Sequence, residues 1–470
     1  MKTSELVFIP SPGTGHLPPT VELAKLLLDR DERLSVTIII MKLFVGAKHD
    51  TGTPISTDRL RYIDIPCDES TMALINPETF LTTFIEHNKT HVRNIVRENI
   101  IESDSVRLVG FVLDMFCMTM VDVANEFGVP TYNYFTSSAS MLGLMFELQA
   151  KRDEEGHDVT ELKDSGLELS IPTFVNPVPA KVLPEVVLNK DGAKMFLDLA
   201  KRFRETKGII INTFQELESH GVEYLLSSNA NIPPLFPVGP ILNFNKAKND
   251  SITEEIITWL NDQPESSVVY LCFGSMGSLS EKQVKEIAVA LERSGHRFLW
   301  SLRRPQSKGK MEQPKEYENY EEVLPKGFIE RTSSVGKVIG WAPQTDVLSH
   351  PSVGGFVSHC GWNSTLESIW CGVPIAAWPL YAEQQLNAFQ LVVELGIAAE
   401  IRIDYRCDMR RGINNMTVAA EEIEDGIRRL MNDHEMRNKV KEMKEKSRSV
   451  VLEGGSSFGS IRRFIDHLNV

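Results

Sequence analysis

The sequence predicts an α/β protein of two domains, each a parallel sheet wrapped by helices, facing each other across a cleft. Three observations carry this. The chain has 470 residues, too many for one hydrophobic core and suited to two domains of about 200 residues each. Short β-branched runs alternate with helical patterns along its length, as in βαβ units. A proline-rich stretch interrupts that alternation at residues 231–240.

In the first half the strand candidates are residues 6–9, 36–40, 106–113, 129–134 and 208–212, with helical patterns at 21–28 and 115–127. Residues 231–240 then hold four prolines, and the polar residues 243–255 follow. Proline lacks the N–H that helices and ladders need, so the stretch reads as a crossing between domains. A second series runs through 268–273, 298–302, 337–339, 355–358, 374–376 and 398–401. Residues 305–322 have almost no apolar side chains and read as a mobile surface loop. The expected division is a first domain at 1–240, a linker at 241–255 and a second domain at 256–452. Residues 453–470 are expected to form a helix packed back on the first domain. Ligands of such sheets bind beyond the carboxyl ends of the strands, which points to the cleft.

Hydrophobic residues make up 42% of the chain and charged residues 24%, the mixture of a globular protein. Its 50 basic and 64 acidic side chains leave a net charge of −14 with no dense Lys/Arg tract. That argues against nucleic acid or an acidic membrane surface as partner. The cysteines at 67, 117, 272, 360, 371 and 407 form no CxxC pair and read as reduced core residues. Neither a signal-peptide pattern nor a run of about 18 apolar residues occurs, so a cytoplasmic protein without a membrane anchor is expected. The sequons at Asn88, Asn249, Asn363 and Asn415 would then be chance matches. Nothing marks an oligomer, and a monomer is expected.

The most informative stretch is residues 341–384, WAPQTDVLSHPSVGGFVSHCGWNSTLESIWCGVPIAAWPLYAEQ. A strand at 355–358 runs into His359-Cys360-Gly361-Trp362-Asn363-Ser364, which opens a helix containing Glu367. Free backbone N–H groups and the helix dipole at such a turn form an anion site suited to a diphosphate. His359, Asn363 and Ser364 add side-chain donors, and Trp341 offers a flat face for a nucleobase.

This run resembles the donor signature box of plant secondary-product glycosyltransferases of family 1, which have the GT-B fold of two Rossmann-like domains. The match is free of gaps from Trp341 to Gln384, and similarity extends over essentially the whole chain. It includes FxPxPGxGHL at residues 8–17 and FGS at 273–275. The resemblance implies that Trp341 stacks on uracil, that the Ala342 backbone reads its edge, and that Gln344 and Glu367 hold the ribose. By the same resemblance, Ser275, His359, Asn363 and Ser364 hold the diphosphate, and Gly15 and the turn glycine Gly361 count among the donor-binding residues. Trp362, Glu383 and Gln384 would contact the sugar. Many relatives carry Asp where Glu383 stands; either carboxylate can accept from sugar hydroxyls. Gln384 is the usual glucose choice, so UDP-glucose is the expected co-substrate. The wording at 376–384 is similar to the subfamily acting on flavonoids, other phenolics and terpenoids.

Gly13-Thr14-Gly15-His16 follows the first strand. Pro18 stands where a GxGxxG fingerprint needs its third glycine, which disfavours a nicotinamide dinucleotide. Asp114 ends an apolar strand, where it could also cap the following helix. The resemblance implies a dyad with His16 as general base and Asp114 as its partner. An acceptor hydroxyl must lose its proton as it attacks the anomeric carbon, and a base with a pKa near 7 suits that task. Single displacement predicts inversion, from an α-linked donor to a β-glycoside. The helix start beside His16 opposes protonation while Asp114 favours it, a balance the sequence leaves open. No metal is expected: the DxD at Asp29-Arg30-Asp31 reads as a surface turn, and the helix tip can do a metal's charge work.

The acceptor wall is expected from Phe116, Met118, Tyr134, Phe135, Met141, Met145 and Phe174, which suit an adaptable apolar pocket. Each could equally be ordinary core. Two further readings stay open: the same fold using another UDP-sugar, and a catalytically silent UDP-sugar-binding protein.

Overall fold

The computed structural model describes residues 3–13, 15–42, 56–65, 80–227, 231–244, 251–306, 314–406 and 416–468. Its first half is built on seven strands: β1 Thr3–Ile9, β2 Leu34–Met41, β3 Leu60–Ile65, β4 Val106–Asp114, β5 Thr131–Phe135, β6 Gly208–Ile211 and β7 Leu235–Pro237. They pair in parallel in the order β3-β2-β1-β4-β5-β6-β7. The second half repeats the plan with β8 Val268–Cys272, β9 Arg297–Ser301, β10 Gly336–Ile339, β11 Val353–Ser358, β12 Ile375–Ala377 and β13 Ala398–Glu400. Their order is β10-β9-β8-β11-β12-β13, again all parallel. Both sheets are covered on two faces, which is why β2, β8 and β11 are buried along their whole length.

The proline-rich stretch is not simply a crossing. Its residues 235–237 form β7, in register with Ile209, Ile210 and Ile211. β7 is an edge strand, where a proline's missing N–H leaves no ladder bond unmade. The expected linker at 241–255 is helical from Ser251, where a helix runs to Asn261. The predicted helix at 115–127 is also revised. The Cys117 N–H bonds the Asp114 carbonyl at 2.7 Å in a tight turn, and the α-helix spans only Val121–Glu126. Within the expected loop at 305–322, Lys315–Glu316 pairs antiparallel with Arg303–Arg304; residues 307–313 lie outside the described residues.

The last helix, Ser456–His467, packs on the first domain. Phe464 meets Tyr132 and Phe236 edge-on, with centroids 5.1 and 5.3 Å apart. The Arg30 guanidinium lies 3.8 Å over the Phe458 ring, a cation–π contact. Cys117, Cys272 and Cys360 are buried thiols, and Cys371 is partly buried. Cys67 and Cys407, with the sequons at Asn249 and Asn415, lie outside the described residues. Asn88 is buried and bonds the Phe84 carbonyl. Asp31 pairs with Arg33 at the end of the first helix, Leu17–Arg30. Among the described residues no helix is long and apolar enough to cross a membrane.

Candidate functional site

Each sheet reverses its strand order once at its centre, between β1 and β4 and between β8 and β11. At such a point adjacent loops leave in opposite directions and open a crevice. The loop after β1 carries Ser11, Gly15 and His16, and β4 ends on Asp114. The loop after β8 carries Gly274 and Ser275, and β11 is followed by His359.

His16 Nδ1 lies 2.9 Å from Asp114 Oδ2 and 3.1 Å from the Thr136 hydroxyl. Asp114 is buried. Its other oxygen accepts from the Ser11 hydroxyl and, at 3.2 Å, from the Phe116 N–H. This carboxylate orients the imidazole and is not a helix cap. With Nδ1 engaged, Nε2 is the ring nitrogen left for another partner. The His16 side chain is 25% exposed. Burial opposes its charge, yet the field and hydrogen bond of Asp114, with the field of Glu383, outweigh it and raise its pKa. Against burial, the carboxylate therefore prevails.

Across the cleft, His359 is buried and held down to about 4 by that burial, so its ring is neutral at pH 7. Among the described residues its Nδ1 has no hydrogen-bond partner. The ring leaves no room beside it. A methyl group on Gly274 or Gly361 would come within 2.6 or 2.5 Å of His359 Nε2. Cys360 takes a left-handed φ of +60°, and the helix Trp362–Cys371 then starts from Gly361 with no side-chain cap. Its first N–H groups thus lack the usual acceptor. Two residues of this tip reach the other domain. The Trp362 indole N–H donates to the Asn212 carbonyl at 2.7 Å, and Asn363 Nδ2 donates to the Gly15 carbonyl at 2.9 Å.

Trp341 is 36% exposed, and its N–H is fixed by Glu316 at 2.9 Å; Ala342 beside it is buried. Gln344 Nε2 donates to the Ser364 hydroxyl at 2.8 Å and to Glu367 at 2.7 Å. Burial pushes the Glu367 carboxyl up to about 7, against the Gln344 bond. Ser275 offers its carbonyl to Arg303 at 3.0 Å. Burial also raises the Glu383 carboxyl, opposed by its own backbone, the His16 charge and a bond from Asn387. Gln384 Oε1 accepts from the Leu380 and Tyr381 N–H groups at 2.9 and 3.1 Å, leaving its amide nitrogen as the end for a ligand. Among the described residues no three His, Cys, Asp or Glu gather as a metal site.

The expected acceptor wall divides. Phe116 meets His16 edge-on at 5.6 Å and lines a cavity of about 420 Å³ with Glu86, Thr119, Met195 and Arg202. Phe174 packs on Phe389 of the second domain at 5.9 Å. Met118, Phe135, Met141 and Met145 are buried in the main core. Tyr134 is a correction. Side chains alternate along β5, so it faces the other side of the sheet, among Leu23, Ile461 and Phe464. Ser11, Thr136, Asn212 and Asn387 were missed by the sequence reading, although the second x of FxPxPGxGHL marks Ser11 and polar residues ending β-runs mark Thr136 and Asn212.

A family model described as UDP-glucoronosyl and UDP-glucosyl transferase matches residues 212–443. The chain is 72% identical over 471 residues to UDP-glycosyltransferase 71E1 of Stevia rebaudiana, covering 100% of this chain and 99% of that one. It is 53% identical over 486 residues to UDP-glucose flavonoid 3-O-glucosyltransferase 6 of Fragaria ananassa, covering 99% of each. Among solved structures, a Medicago truncatula glycosyltransferase complexed with UDP-glucose superposes with a TM-score of 0.85 at 40% identity, covering 100% of this chain and 99% of that one. The chain belongs to this transferase family and is a UDP-glycosyltransferase of the GT-B fold.

Proposed function

We propose that this enzyme transfers glucose from UDP-glucose to a hydroxyl of a small lipophilic acceptor, a flavonoid or other phenolic or a terpenoid, giving a β-glucoside. Uracil stacks on Trp341 beside Ala342, and Gln344 with Glu367 takes the ribose. The diphosphate sits on the helix tip with Ser275, His359, Asn363 and Ser364, whose donors neutralise the leaving charge without a metal. The sugar meets Glu383 and Gln384. His16 Nε2 takes the proton from the acceptor hydroxyl as its oxygen attacks C1 from the face opposite UDP, and Asp114 steadies the imidazolium. The printed name of the Fragaria ananassa relative supports a flavonoid acceptor, and Phe116 would be the wall nearest the base. A monomeric, cytoplasmic enzyme is part of this reading.

One observation carries it. The bond from Asn363 to the Gly15 carbonyl ties the anion-binding tip to the residue next to His16, so the leaving group and the base share one crevice. The test is a panel of UDP-sugars against flavonols, simple phenolics and triterpenes, read by mass spectrometry. UDP-glucose with a phenolic or terpenoid should give a monoglucoside, and His16→Ala should abolish it while UDP affinity stays within about threefold. Preference for another UDP-sugar, or unchanged turnover in His16→Ala, overturns the reading.

A further inference from the structure

The left-handed turn at Cys360 needs an explanation, because a residue with a Cβ avoids φ near +60° unless its surroundings impose it. The Ser358 hydroxyl accepts the Cys360 N–H at 3.1 Å, and Asn387 holds the carbonyl side of the turn. It is fully buried on the short helix Gln384–Phe389, three residues after Gln384. Its Nδ2 donates to the Cys360 carbonyl at 3.0 Å, and its backbone N–H donates to the Glu383 carbonyl at 3.1 Å. Its Oδ1 faces the Ser138 hydroxyl of the first domain at 3.4 Å. Ser138 lies two residues from Thr136, which bonds His16. The Cys360 carbonyl, which can only accept, thus fixes which way round the amide lies, with its oxygen toward Ser138.

We infer that Asn387 is a positioning residue: it clamps Cys360 in the left-handed turn that aims the helix tip at the diphosphate, and registers that turn against Glu383 and the first domain. This rests on the reading of the His359–Ser364 turn as the diphosphate site. Released from the clamp, the turn leaves its binding geometry most of the time, and apparent affinity falls by the fraction still competent.

The experiment is a double-mutant cycle on UDP binding, measured by titration calorimetry on the full chain. Asn387→Leu, close in volume and uncharged, should weaken UDP binding about tenfold. Glycine adopts φ > 0 without a clamp, so in the Cys360→Gly background the same substitution should cost about threefold or less. Loss of fold alone would give the opposite pattern, because two changes in one core accumulate; thermal melts of all variants accompany the titrations. An unchanged affinity in Asn387→Leu, or an equal loss in both backgrounds, overturns the inference. If His359→Ala leaves UDP affinity at the native value, the turn is not the diphosphate site, and the inference falls with that reading.

Discussion

Replacing Asp114 by asparagine keeps the shape of the dyad and changes its proton. One carboxylate oxygen accepts from the Ser11 hydroxyl and the Phe116 N–H, while the other faces His16 Nδ1 at 2.9 Å. Asparagine has a single acceptor oxygen, and those two donors hold it at the first position. Its NH₂ then points at Nδ1, so the imidazole must carry its own proton on Nε2, the nitrogen that has to take the acceptor's proton. General-base catalysis contributes about 10²–10⁴-fold, and kcat should fall by that range. The titration should move too. A hydrogen bond to a charged partner is worth about 1.5–3 kcal/mol, roughly one to two pKa units of support for the imidazolium. With it gone, burial, the largest influence, is opposed only by the weaker field of Glu383, and the His16 pKa falls. The native base is neutral only above its raised pKa, so native kcat/KM declines as pH drops through that value. Any residual activity of the variant should hold to lower pH. Initial rates of UDP release from about pH 5.5 to 9 would read both effects, with UDP titration confirming an intact donor site. A kcat within tenfold of native, or an acid limb at the same or higher pH, would refute the argument.

Trp341→Ala should weaken UDP binding by about 1–3 kcal/mol, the value of one base–aromatic stack; native affinity in calorimetry would count against stacking. Burial holds the Glu367 carboxyl up to about 7, so UDP-glucose binding through its carboxylate should strengthen as pH rises through that value. Glu367→Gln should flatten the dependence, and a native Kd indifferent to pH would remove the carboxylate from the site. Since the helix tip is assigned the charge work, EDTA should leave the transfer rate within about twofold; a large loss restored by Mg²⁺ would reassign that work to a metal.

The parts of the site that lie on one element were legible. Asp114 stands where an apolar run ends, and residues 341–384 place strand, turn and helix in one unbroken stretch. Contacts between elements were not. Ser11 and Thr136 meet the dyad across 103 and 120 residues of chain, and hydrophobic periodicity carries no information about such pairs. The strand at 235–237 was hidden because Pro237 and the prolines flanking it forbid a central strand, and only the finished sheet shows that the position is an edge. Buried methionines and aromatics posed a different problem: core and pocket wall share a composition. Thus Met118 and Met145 fill the core while Phe116 reaches the cavity.

What the sequence could least reveal is how the two halves are held together. Apolar packing would allow them to slide, but the observed links are directional. Gln390 of the second domain donates at 2.7 Å to Glu218, whose carboxylate also caps the helix at Ala139–Glu155. Glu394 accepts at 2.9 Å from the N–H groups of Val175 and Asn176. Arg406 reaches the Lys181 and Leu183 carbonyls at 2.7 and 2.6 Å. Together with the Trp362 and Asn363 bonds, these fix an orientation as well as a distance, because hydrogen bonds weaken steeply when misaligned. A base contributes to transfer only when the attacking oxygen is held within hydrogen-bond reach of it and in line with C1. The chemistry of each half is written locally, and the alignment between them is set by bonds whose partners lie far apart in the chain.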